Sequence, residues 1–197
     1  MFNSEIVTRT VMATSKTGSF WLTESVQQAT QGNAVQGTLD IGHLVDVGDQ
    51  QALAIEQVDF ITQVYDTAND TYVNSFTGSV TTNDDFQVDF QLSDLNPGTA
   101  LLSADDTNLI ASGVILYDEA TNNQSMGSDF YPDSFGKIDE SFMVVNDSLY
   151  LVMVPVGTLT MAANHTIQTT VRVKARVVKL STKNWMALAI TSVSSDN

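Results

Sequence analysis

Cysteine is absent from the 197 residues, so disulfides, thiolate metal sites and cysteine nucleophiles are all excluded. Charge is scarce as well: 16% of residues are charged, against a typical ~25%, and the surface must therefore be largely neutral and polar. Long apolar runs are missing. Stretches such as Leu151–Val154 fall far short of the ~18 residues of a spanning helix, which argues against an integral helical membrane protein. The opening Met1-Phe2-Asn3-Ser4-Glu5 lacks the basic and apolar regions of a secretory signal, so the chain is expected to be made in the cytoplasm or already processed. Cations are missing from Thr17 to Gly136, a stretch that carries 18 acidic residues. Such a surface repels phosphate, and direct nucleic acid contact is not expected.

The formal charge is −15. Solubility by self-repulsion is its plain reading, and a high-salt habitat or cation-linked subunit contacts are the sharper ones. Ser, Thr, Asn and Gln together number 66. Thr and Val abundance favours half-buried pleated surfaces over helices, because β-branched side chains lose χ1 freedom in a helix. The fold class expected is therefore all-β, an antiparallel β-sandwich within one domain's length. Residues 1–36 read as an N-terminal arm with a helical turn or two over Leu22–Ala29, and residues 37–197 as the sandwich.

Nine strands are expected after Gly37: Leu39–Val47, Leu53–Tyr65, Ser75–Val80, Phe86–Leu92, Asn108–Tyr117, Glu140–Val145, Leu149–Val154, Thr166–Leu180 and Trp185–Val193. Phe86–Leu92 is the clearest, with Phe86, Val88, Phe90 and Leu92 on one face and Gln87, Asp89 and Gln91 on the other. In Leu53–Phe60 the apolar alternation slips by one position, which predicts a β-bulge at Glu56 or Gln57. Val144–Leu149, with Asn146-Asp147 at its centre, reads as a hairpin.

Five of the eight basic residues gather near the C-terminus, and Val171–Val177 places Arg172, Lys174 and Arg176 on one strand face opposite an apolar one. Two readings stand side by side. One is a solvated edge whose charges block strand addition, and the other a positive stripe that docks the acidic face of a neighbouring copy. On the second, Arg9, Lys16, Trp21, Arg172, Lys174, Arg176 and Lys179 are the subunit-interface residues.

Catalytic chemistry leaves no mark. The two histidines, His43 and His165, belong to no hydrolase, zincin, P-loop or dinucleotide pattern, so no catalytic residue, cofactor or metal ligand is assigned. Asp84-Asp85, Asp105-Asp106 and Asp66–Asp70 could offer oxygens to Ca²⁺, but they lack the EF-hand ligand order and read as solvated turns.

The strand count, the long bulged Leu53–Tyr65 segment, the tail Arg172–Val193, the low-charge arm and the absent chemistry together resemble single jelly-roll capsid proteins of icosahedral viruses. The resemblance covers Gly37 to Asn197 in pattern. It implies a non-catalytic shell subunit found in virions assembled in the host cytoplasm, with copies of itself and other capsid proteins as partners. In the archaeal and bacterial viruses to which it extends, an internal membrane lies beneath the shell. The alternative from another class is a carbohydrate-binding or adhesin-like sandwich, for which Trp21, Tyr150 and Trp185 would be the sugar-stacking aromatics.

Overall fold

The computed structural model describes residues 13–28, 33–73, 76–81, 84–126 and 141–194. Along the chain run β1 (Thr14–Ser15), β2 (Phe20–Gln27), β3 (Val35–Asp40), β4 (Gln51–Asp66), β5 (Thr71–Val73), β6 (Phe86–Ser93), β7 (Leu109–Asp118), β8 (Asn123–Met126), β9 (Phe142–Val144), β10 (Ser148–Gly157), β11 (His165–Lys179) and the helix α1 (Thr182–Ser194). All the strand pairings are antiparallel.

Two sheets form the sandwich. In the first, β11 lies between β4 and the edge strands β1 and β2, while β5 and β9 pair with the far side of β4. The second has the order β3-β10-β6-β7-β8. With the short β1, β5 and β8 set aside, the sheets read β2-β11-β4-β9 and β3-β10-β6-β7. The pairs β2–β11, β3–β10, β4–β9 and β6–β7 are then nested like one long hairpin rolled onto itself, which is the strand order of a jelly roll.

Alternation builds the core. Val171, Val173 and Ala175 of β11 and Leu53, Ile55, Val58 and Val64 of β4 face Val88, Phe90 and Leu92 of β6 and Leu149, Leu151 and Met153 of β10. Phe60 and Phe90 meet across the sheets with ring centroids 4.8 Å apart. A Thr on this inner face is kept paired: Thr169 Oγ1 lies 3.0 Å from Thr62 Oγ1 and donates to Met153 Sδ. Gly37 marks a close approach between β2 and β3, since a Cβ there would stand 2.7 Å from Val26.

The bulge lies where the phase slip places it. Lys174 pairs with Gln57 and Ala175 with Ile55, so Glu56 is the extra residue. Other expectations are corrected. Leu22–Gln27 is strand, not helix, because pairing with β11 gives its backbone partners that a lone helical turn lacks; Ala29 lies outside the described residues. The sandwich thus includes Phe20–Gln27 and Val35–Gln36 of the stretch read as an arm, while residues 1–12 lie outside the described ones.

Trp185–Val193 lies in α1 instead of forming a strand. Ser181 caps that helix through its Oγ to the Asn184 N–H, and Trp185, Leu188 and Ala189 pack on Ala52, Ala54 and Val178 of the first sheet's outer face. Val144–Leu149 is no hairpin, since β9 and β10 belong to opposite sheets and Asn146-Asp147 bridges them. β3 ends at Asp40, whose carboxylate takes the Gly42 N–H at 2.9 Å and turns the chain, so Leu39–Val47 does not run on as one strand. Of Ser75–Val80, only Val80 makes a strand-like bridge, to Met161, and Ser75 lies outside the described residues.

Candidate functional site

Basic residues and strands are unequally shared between the sheets. β3, β6, β7, β8 and β10 contain no Lys or Arg, so the described strands of the second sheet carry no cation. The described cations Lys16, Arg172, Lys174, Arg176, Lys179 and Lys183 lie in β11, beside it or on α1. Acidic residues occur on both sides.

On the outer face of the first sheet, β2 presents Trp21, Thr23, Ser25 and Gln27, β11 presents Gln168, Thr170, Arg172, Lys174 and Arg176, and β4 presents Gln57, Asp59, Ile61 and Gln63. Arg176 is bound within the molecule. Its guanidinium pairs with the Glu56 carboxylate and donates to Ser19 Oγ at 3.1 Å, while Ser19 donates to the other Glu56 oxygen at 2.8 Å. The bulge is what turns Glu56 toward this cation. Lys16 pairs with Asp49 at 3.4 Å. Arg172 lies over the Trp21 ring, 4.7 Å from its centroid, a cation–π contact.

Arg172, Lys174 and Lys179 form no ion pair among the described residues. Trp21 and Ile61 stay exposed beside them, at 42% and 38%. The structure therefore gathers Trp21, Arg172, Lys174 and Arg176 on one face, sets Lys179 at the end of β11 and Lys16 beside β1, and does not describe Arg9.

Sequence reasoning missed the opposite surface. Three rungs cross the outer face of the second sheet: Val152–Gln91–Ser112, Val154–Asp89–Val114 and Val156–Gln87–Leu116–Ser125. Val152, Val154 and Val156 on one side and Val114 and Leu116 on the other thus flank an amide and carboxylate column. Val156 and Leu116 are exposed, and a shallow groove of about 500 Å³ runs beside them between Asp85, Asp118 and Asn123. Burial raises the Asp89 pKa, and the hydrogen bond from Gln87 opposes this. The signal was the apolar run Leu149–Val156, whose lack of alternation marks a strand with aliphatic side chains on both faces.

Among the described residues, neither histidine has a Ser or Thr hydroxyl as a hydrogen-bond partner. His43 is exposed in the turn after β3, and His165 Nδ1 lies 2.9 Å from the Ala163 carbonyl. In the acidic turns the carboxylates serve the backbone: Asp66 accepts the Ala68 N–H, Asp85 that of Glu119 and Asp106 that of Asn108. The bonds from Asn69 and Ala68 hold the Asp66 pKa below the usual carboxylate range. No cluster of three or more His, Asp or Glu able to hold a metal occurs among the described residues.

No protein-family model matches this chain, and no curated protein does. Among solved structures, a chain of desmodium yellow mottle tymovirus aligns over 83% of this chain and 89% of its own, at 8% identity and a TM-score of 0.35.

Proposed function

We propose that this chain is a structural shell subunit without catalytic activity, which assembles with copies of itself in a virion. The observation that carries the reading is the segregation of charge between two outer faces that both expose apolar side chains. Among the described residues, Arg172 and Lys174, which form no ion pair, lie with Trp21 and Ile61 on one face, and strands without a cation expose Val156 and Leu116 on the other. Exposed apolar surface marks a contact site, and complementary charge sets its orientation and partner. Two unlike faces on opposite sides of a molecule make a heterologous contact, which closes into rings when the rotation allows. Other capsid proteins of the same shell are further partners, above an internal membrane in the archaeal and bacterial type.

Light scattering of the full chain tests this. Discrete oligomers are expected, and both Arg172→Glu with Lys174→Glu and Leu116→Asp with Val156→Asp should reduce them to monomers. A mass of 21.3 kDa at every salt and protein concentration would overturn the proposal and, together with glycan affinity, would favour the carbohydrate-binding alternative.

A further inference from the structure

The chain covers part of each outer face of the sandwich and leaves the rest bare. On the second sheet the connection from β6 to β7 folds back over the rung Val152–Gln91–Ser112. Gln91 fastens it there, donating from Nε2 to the Leu102 carbonyl at 3.1 Å and accepting the Leu102 N–H at 2.7 Å. Val152 and Ser112 are buried, whereas Val156 and Leu116, two rungs on, are 43% and 39% exposed. On the first sheet α1 lies over Ala52, Ala54 and Val178 and leaves Trp21 uncovered.

The two bare ends are opposite in kind. On the second sheet the groove of about 500 Å³ has Leu116 and Val156 in its wall and Asp85 and Asp118 at its sides. One oxygen of each carboxylate is held by backbone: Asp85 Oδ1 takes the Glu119 N–H at 3.0 Å, and Asp118 Oδ1 the Thr121 N–H at 3.2 Å. Neither carboxylate meets a cation among the described residues. On the first sheet Trp21 and Lys174 share a rung, and Arg172, one rung on, lies over the indole. Asp59 stands beside Arg172 in that rung, but it accepts from Gln57 Nε2 at 2.8 Å and forms no ion pair.

Trp and Arg are the side chains that most often carry the energy of a protein contact, each seated in a pocket from which water is excluded. Arg172 covers one side of the indole and leaves the rest of the ring for a second apolar surface. Seating that ring in the groove would exclude water from the cations beside it, and their attraction to Asp85 and Asp118 strengthens as the local dielectric falls. A second copy of the chain brings both halves of this match. Copies of charge −15 repel at a distance, so they hold together only through a contact that is strong at close range.

We propose that Trp21 is the anchor of the subunit contact and seats against Leu116 and Val156 in the groove of a neighbouring copy, with Arg172 and Lys174 reaching its Asp85 and Asp118. This inference rests on the shell-subunit reading and specifies its contact.

Double-mutant cycles on the association constant of the full chain, measured by sedimentation equilibrium, test the anchor. Trp21→Ala should weaken association at least about tenfold and Leu116→Ala about fivefold, and the double variant should be less than about twofold weaker than Trp21→Ala alone, because both remove one contact. Arg172→Ala and Asp118→Asn form a second cycle with the same expected coupling, and it serves if Trp21→Ala loses the native circular dichroism. Losses that simply multiply in both cycles, in a parent that still assembles, would overturn the anchor and leave the shell reading standing. A parent that stays at 21.3 kDa under every condition would overturn both.

Discussion

Burial raises the Asp94 pKa from its ordinary 3.8 to about 7, because the charged form has lost most of its water and faces Asp106. Between those two values the folded chain holds a proton that the unfolded chain has released. Stability should therefore fall as pH rises from about 4 to about 7 and level off above. Asp94→Asn removes this titration. It should flatten the profile and stabilise the chain at pH 8 by about 2–4 kcal/mol, read by urea denaturation. Glu56 shows the opposite logic, since its burial is compensated. Arg176→Met leaves the carboxylate without its cation, and a loss of about 2 kcal/mol is expected in the same measurement. The bulge at Glu56 was legible from the phase slip in Leu53–Phe60, but its ion pair was not, because Arg176 lies 120 positions away in sequence.

Two elements at the ends of strands carry separable predictions. β10 ends at Gly157, whose φ of +94° disfavours any side chain, and a Cβ there would come within 3.0 Å of the Asp85 carbonyl. Gly157→Ala should cost about 1–3 kcal/mol, measured by denaturant unfolding. α1 covers Ala52, Ala54 and Val178 with Trp185, whose Nε1 reaches the Gln51 carbonyl at 3.4 Å. Trp185→Ala should uncover that patch, cost about 3 kcal/mol and increase binding of an apolar dye. The helix was misread from sequence because Trp185–Ile190 is a short apolar run, which period alone cannot assign to strand or helix. β2 was misread for the reverse reason. It is an edge strand, and its alternation carries meaning only once β11 lies beside it.

At the scale of the molecule, the described strands of the second sheet, which carry no cation, and the basic β11 give the sandwich an electric polarity on top of its net charge of −15. Two copies that each carry −15 repel at long range, and the complementary faces attract only once they are close. Raising ionic strength from 0.1 M to 1 M shortens the screening length from ~10 Å to ~3 Å. The association rate should rise as the net repulsion is screened, and the dissociation rate should rise as the charge pairs at the contact weaken, as measured by stopped-flow light scattering. A rate insensitive to salt would assign the contact to apolar packing alone.

Composition and alternation were sufficient for the all-β class, the two-faced strands Phe86–Leu92 and Val171–Val177 and the bulge. These follow from local sterics and from the two-residue period of a pleated strand. The nesting of β2 with β11 and β3 with β10 was beyond them, since such pairs join the two ends of the chain and leave no local trace. The same holds for the stripe on β11. Its residues could be named from the sequence, yet which of its charges are spent inside the molecule and which stay free depends on Glu56 and Trp21, brought to it by the folding of distant strands. The cavity that Asp94 lines between the β6–β7 connection, β9 and α1 is a product of three such segments meeting, and no spacing along the chain foretells it.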